Sequence, residues 1–219
     1  MKGNIKKLVV FVMIAAIAMF AVIATASADP PGNLRGQYAG TGSGTCLLAP
    51  FGFDPTAPGV PKYAALGAWT IQTFNSEGVW TFNGDGTGSV KAVGRFVTLA
   101  FTEPNPSPPP PTITVPPSAG EQTTSYLFHY TVTDDGIITV TADPGTYVTT
   151  WIYGPSNGNS YHIDGYLATG TIAPDGKTIT LNRGVPNVMN FIGPSPGLPP
   201  GAQLFCNQSS VLIWEHDGQ

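Results

Sequence analysis

The chain has 219 residues with only 10% charged, 27 glycines, 22 prolines and a formal net charge of −4. So few and so scattered cations exclude the basic surface that nucleic acid requires, and no nucleic-acid partner is expected. The many aromatic, β-branched, Gly and Pro residues, without a window of helical periodicity, favour strands and loops over helices.

The first 28 residues have the three parts of a secretory signal peptide. A start with three lysines precedes an uninterrupted apolar run at 8–24, and a small-residue cleavage pattern, Ala-Ser-Ala, follows at 26–28. An uncleaved membrane anchor is the alternative, but the run is at the lower limit of spanning length. Cleavage removes three lysines and no acid, so the net charge changes from −4 to −7. The sequence predicts an exported protein, periplasmic or extracellular, with no stable membrane insertion after cleavage.

After cleavage, a short tail at 29–34 precedes a single predicted domain at 35–219. This domain holds two cysteines, Cys46 in the first predicted strand and Cys206 in the last. In an exported protein the pair predicts a disulfide, with free thiols or a metal site as alternatives. A bridge requires the two Cα atoms to lie within about 7 Å, so the first and last strands must be neighbours. The predicted fold is therefore an all-β, antiparallel, up-and-down barrel, with a two-sheet sandwich as the alternative.

The stretch 78–90 predicts a β-hairpin. Trp80 and Phe82 lie two residues apart, so they share one face of an extended strand. The Asn-Gly-Asp-Gly sequence at 83–86 then allows the chain to reverse, because glycine adopts positive φ without steric cost. This segment has a superficial likeness to a calcium loop, but an EF-hand requires Glu at its twelfth position, which here is Gly94.

The rest of the chain repeats this plan of aromatic or β-branched strands and short turns. Two Pro/Gly-rich segments, 103–120 and 193–201, are predicted as loops. The first favours polyproline II and is interpreted as a stiff connection, with docking to an aromatic groove of a partner as the alternative. We expect about nine or ten strands, at 37–48, 68–75, 78–82, 89–102, 122–133, 138–141, 147–153, 161–171, 178–181 and 206–214.

Several aromatic side chains alternate along these strands and are candidates to line a ligand cavity. A barrel of eight or more strands is wide enough to enclose an apolar cavity if they face inward. The alternative is that they fill the core completely, because protein interiors are close-packed. The candidates are Trp80, Phe82, Tyr126, Phe128, Tyr130, Tyr147, Trp151 and Tyr153.

The sequence offers one weak catalytic pair. His162 and Asp164 are two residues apart and share a strand face, as a base oriented by a carboxylate would. No activated serine or cysteine accompanies them. His129 and His216 are interpreted as surface or structural residues, and we expect no metal site and no cofactor.

The mature chain resembles a group of uncharacterised exported bacterial all-β proteins at 35–40, 78–88 and 211–214. More distantly, it is similar to the lipocalin and calycin barrels, in which Gly-x-Trp opens the first strand. Here Gly36-Gln37-Tyr38 has tyrosine in place of the tryptophan. The lipocalin resemblance implies an up-and-down barrel and a small apolar ligand, and it carries over no catalytic residue.

Three functional hypotheses follow. The leading one is a secreted or periplasmic barrel that binds a small hydrophobic ligand within the sheet. The second is a structural or adhesive envelope protein with a filled core, whose Pro-rich loops contact an unidentified protein partner. The third, which the sequence favours least, is a barrel isomerase or cyclase that uses His162 and Asp164.

Overall fold

The computed structural model describes residues 34–57, 60–61, 69–100, 118–183, 187–193, 198 and 200–215. The predicted signal peptide, the tail except Leu34, His216 and most of the Pro-rich segment at 103–120 lie outside these residues. Within this part of the chain no helix is long and apolar enough to cross a membrane.

The described residues form one antiparallel sheet. The first four strands and the last have 12–15 residues, and the six between them have 5–7. They are β1 Arg35–Ala49, β2 Thr70–Asn83, β3 Thr87–Ala100, β4 Ser118–Val132, β5 Ile137–Ala142, β6 Tyr147–Tyr153, β7 Ser160–Asp164, β8 Leu167–Ile172, β9 Thr178–Arg183, β10 Val188–Ile192 and β11 Gln203–Trp214.

Three strand boundaries differ from the predicted ones. The segments 68–75 and 78–82 are a single strand, β2, in which Gly78 allows close approach to β3 rather than a turn: a Cβ there would lie 2.4 Å from the Lys91 carbonyl oxygen. The segment 161–171 is two strands, because Gly165 with φ of 88° interrupts it. The strand at 188–192 was not predicted. The described residues thus form eleven strands instead of nine or ten.

The eleven strands occupy eight positions around a closed ring. Both β5 and β6 pair antiparallel with β4, at its 128–132 and 121–125 segments respectively, so the two short strands are collinear. In the first series, β5 pairs with β8 and β8 pairs with β9. In the second series, β6 pairs with β7 and β7 pairs with β10. Both series end on β11, which pairs with β1. The predicted all-β, antiparallel, up-and-down fold is confirmed, and its end strands meet.

The disulfide lies at this closure. Cys46 and Cys206 are opposite each other in the β1–β11 pairing, and their Cα atoms are 4.0 Å apart. Both side chains are buried inside the ring. The predicted bridge between the first and last strands is confirmed, and it adds a covalent link to a register of twelve residue pairs.

The two ends of the barrel differ. At the turn end, short turns at 84–86, 133–136 and 173–177 join neighbouring strands. The first is the predicted hairpin turn, with Gly84 and Gly86 at φ of 87° and 85°. At the loop end, the chain makes its longer connections, leaving β1 at Ala49 and returning to β2 at Thr70.

Aromatic side chains fill the barrel at the turn end. The Phe82 ring is packed edge-to-face against Tyr38, Phe128 and Tyr130, with centroids 5.1–5.3 Å apart. The buried hydroxyls are satisfied by backbone carbonyls: Tyr38 donates to Gly176 and Tyr130 donates to Leu34, both at 2.8 Å. Aromatic packing of this kind, with polar atoms paired, makes the turn end a close-packed core.

Candidate functional site

The interior changes character towards the loop end, where inward positions on three adjacent strands hold small residues. Alternation along β1, β2 and β3 brings glycine, serine and alanine to the inner face, instead of the aromatic residues of the turn end. A cavity of about 400 Å³ lies against them. The small residues that line it are Gly40, Gly42, Ser76, Gly78, Ala92 and Gly94.

Aromatic residues also line the cavity. Of the eight aromatic residues that the sequence suggested, Trp80, Tyr126, Tyr147 and Trp151 line the cavity. Tyr126 and Tyr147 are stacked, with ring centroids 4.7 Å apart and planes 9° from parallel. Sequence reasoning missed further apolar lining residues, among them Phe74, Tyr161, Ile163, Tyr166, Phe191 and Leu204.

The other four suggested residues lie elsewhere. Phe82, Phe128 and Tyr130 belong to the close-packed core at the turn end and are not among the lining residues. Tyr153 is 70% exposed on the outside. The reason is a register shift: Gln122 pairs with Trp151, but its neighbour Glu121 pairs with Tyr153, so the extra residue reverses the alternation after Trp151.

One charged side chain is buried in the cavity wall. Arg183, at the end of β9, is only 3% exposed and lines the cavity. Its guanidinium lies over the Tyr166 ring, 4.7 Å from the centroid. Nη1 donates to Gln208 Oε1 at 3.3 Å, and Nη2 donates to Asn187 Oδ1 at 3.5 Å and to Met189 Sδ at 2.7 Å. Its Nε–H has no hydrogen-bond partner among the residues that the structure describes.

The tyrosines beside Arg183 remain protonated well above neutral pH. Burial raises the pKa of Tyr147 to about 12, although the charge of Arg183 acts in the opposite direction. Burial also raises the pKa of Tyr126 well above its ordinary value, with Tyr166 adding to the effect. The pKa of Tyr166 is raised by burial as well. These three phenols and Arg183, called here the Arg183 cluster, combine a fixed cation with neutral hydroxyl groups.

Arg183 was not among the residues suggested by the sequence, although a signal is present. Ile179 and Leu181 alternate with it along β9, and both are fully buried. An arginine that continues an inward-facing apolar alternation is a candidate interior charge. In the sequence alone it is one of a few scattered cations.

The suggested catalytic pair does not reach the cavity. His162 is exposed on β7 between the buried Tyr161 and Ile163, so it faces outward. Asp164 accepts a hydrogen bond from the Gly145 backbone N–H at 2.8 Å, and neither side chain lines the cavity. His129 is also at the surface, where it contacts Asp143. Among the described residues no group of three or more His, Cys, Asp and Glu side chains is arranged to hold a metal ion.

No protein-family model matches the chain, and none of the curated proteins is significantly similar to it.

Proposed function

We propose that this protein is an exported β-barrel that binds a small hydrophobic molecule inside the barrel, at the loop end. The observation that carries the proposal is the cavity of about 400 Å³ that the strands line. Ligand sites in proteins are concave, mostly apolar and about 300–1,000 Å³ in volume, so the size and the aromatic lining suit such a ligand.

The division of the interior supports the same proposal. Aromatic residues fill the turn end, whereas both small and aromatic residues line a cavity towards the loop end. Protein interiors are otherwise packed to crystal-like density, and an unfilled volume has a cost in lost dispersion contacts. A ligand that occupies this volume would recover those contacts.

Export is supported by independent features. The chain begins with a sequence that is typical of a signal peptide, and disulfides persist in oxidising compartments. We place the protein in the periplasm or outside the cell, where a carrier or scavenger of apolar molecules would meet ligands that are poorly soluble in water.

The first experiment is a native mass spectrum of the mature protein purified from its own host. A reproducible added mass that organic extraction removes would support the proposal and identify the cargo. The second uses a defined neutral probe, dodecanol, measured by native mass spectrometry and by thermal shift. A ligand that binds only the folded state raises the melting temperature, by an amount that grows with the logarithm of its concentration once that concentration exceeds Kd.

We expect saturable binding of one dodecanol molecule and a higher melting temperature. A protein that leaves its host without cargo, and that neither binds dodecanol nor gains thermal stability at the solubility limit of dodecanol, would contradict the proposed function.

A further inference from the structure

We propose that the ligand is a monoanion, an apolar chain that ends in a carboxylate, and that Arg183 binds this carboxylate within the cavity. The inference rests on the proposed function, because it specifies the class of molecule that the cavity accepts.

The cavity wall carries a buried positive charge, the guanidinium of Arg183. Arginine stays protonated in proteins, and an ion that is taken out of water without a counter-charge is unfavourable by several kcal/mol. Arg183 is 3% exposed, and none of the ion pairs among the described residues includes it. Its partners there are an amide oxygen on Gln208, another on Asn187, and a thioether sulfur.

The guanidinium of Arg183 also has hydrogen-bond donors that its protein partners do not use. A guanidinium has five N–H groups, and those three hydrogen bonds leave two of them, the Nε–H and one N–H of Nη1, without a partner among the described residues. A carboxylate is the acceptor that suits such a group, because charge-assisted hydrogen bonds are shorter and stronger than neutral ones. The site therefore offers a positive charge and N–H groups that lack an acceptor.

Arg183 is the single cation among the described residues that line the cavity. Only one other charged side chain lines the described part of the cavity, Glu77, and it is exposed and pairs with Arg95 at 3.3 Å. One interior cation matches one carboxylate. A dianionic phosphate would bring a second, unbalanced charge into the barrel, which is unfavourable in a low-dielectric interior.

The neighbouring phenols are compatible with an anion. Because burial raises the pKa values of Tyr126, Tyr147 and Tyr166, these groups do not add negative charge beside the carboxylate at neutral pH. Each keeps its O–H, which is a hydrogen-bond donor.

The position of the cluster sets the orientation of the ligand. Tyr126 contacts Phe128 of the turn-end core and also lines the cavity, and Tyr166 connects it to Arg183, so Arg183 lies close to the border between the core and the cavity. Apolar lining residues at the loop end, Leu48 near the end of β1 and Leu204 near the start of β11, lie beyond it. The carboxylate would point inward and the apolar chain towards the loop end.

The test compares two probes that differ in one group, dodecanoate and dodecanol, by calorimetry and native mass spectrometry on the wild-type mature protein. We expect dodecanoate to bind at least about tenfold more tightly, as a charge-assisted hydrogen bond implies. In Arg183→Met, an apolar side chain of similar length, this preference should disappear through weaker dodecanoate binding, with dodecanol binding retained. Arg183→Lys, which keeps the charge but not the planar fork, should retain a reduced preference.

Arg95→Met is the matched control. Arg95 is exposed and forms its ion pairs with Glu77 and Glu121 on the outer surface. Its loss should leave the affinities for both probes unchanged.

The outcomes separate the two proposals. Equal affinities of the wild-type protein for dodecanoate and dodecanol would overturn the role of Arg183 and leave the proposed function standing. If the wild-type protein binds neither dodecanoate nor dodecanol, both the proposed function and the proposed ligand class are wrong. The comparison on wild-type protein does not depend on whether the Arg183 variants fold.

Discussion

A leucine at position 94 should fill part of the cavity without disturbing the barrel. Gly94 faces inward on β3 and lines the cavity. A Cβ built there would meet the Asn75 carbonyl oxygen at 3.5 Å and Gln122 Cγ at 3.6 Å, which are ordinary contact distances. Its φ lies outside the left-handed region, so a larger residue brings no backbone strain.

The structure gives the direction and size of both effects. Burying a leucine side chain is worth about 1.5–3 kcal/mol, from which about 0.5–1 kcal/mol of side-chain entropy is subtracted, and replacing a strand glycine adds about 0.5–1 kcal/mol. Gly94→Leu should therefore stabilise the protein by about 1–3 kcal/mol. If the leucine displaces two or three ligand methylenes, each worth about 0.8 kcal/mol, dodecanol binding weakens about 15- to 60-fold.

Two variants on the same strand are the controls. Lys91→Leu adds the same side chain on the outer face and should change neither stability nor affinity appreciably. Gly88→Ala places a Cβ 2.2 Å from Phe128 Cζ in the packed core, so it should destabilise the fold by about 1–3 kcal/mol while the cavity is retained.

Urea denaturation measures the stabilities, and calorimetry measures dodecanol affinity. If Gly94→Leu is less stable than wild type, the position is not next to open space. If it is more stable but binds dodecanol as tightly as wild type, the ligand does not occupy this cavity. Either result would contradict the proposal that an open, ligand-binding cavity lies beside Gly94.

Two further predictions concern the fold and its titration. Replacing Cys46 and Cys206 by alanine should lower the free energy of unfolding by about 5 kcal/mol, because the disulfide closes a loop of 160 residues in the unfolded chain. Urea titrations of the oxidised protein and the double-alanine variant measure this difference, and a loss below about 1 kcal/mol would contradict the prediction. Since the folded pKa of Tyr147 is raised to about 12 from 10.0, its contribution to stability is complete below pH 10 and is lost as the pH rises towards 12, by up to about 1.4 kcal/mol per pH unit. Urea midpoints measured between pH 8 and 12 should therefore fall as the pH rises, and they should fall less in Tyr147→Phe. If the midpoints of the two proteins decline equally with pH, the assigned contribution of Tyr147 is wrong.

Local patterns in the sequence were sufficient for the architecture. The alternation of Trp80 with Phe82 and the glycines at 84 and 86 depend only on residues close in sequence, so they predicted the β2–β3 hairpin. The cysteines at the two ends of the domain added one long-range constraint, which was enough to predict that the first and last strands meet.

The same local patterns could not separate a filled interior from a lined cavity. Phe82 and Trp80 alternate identically, yet Phe82 meets other aromatic rings at the turn end, whereas Trp80 also borders the cavity. Whether an inward side chain contacts a neighbour or a void depends on what the strands across the barrel place opposite it. A single register shift beside Gln122 was similarly enough to turn Tyr153 outward.

Patterns along the chain were thus enough to predict that it is all-β, that its strands alternate between an inner and an outer face, and that Cys46 pairs with Cys206. The folded barrel alone shows where the interior is open, and that Arg183 is buried there without a counter-charge among the described residues. The physical reason is that strand formation and face alternation are set by neighbours along the chain, whereas packing density and charge compensation are set by residues that closure of the barrel brings together.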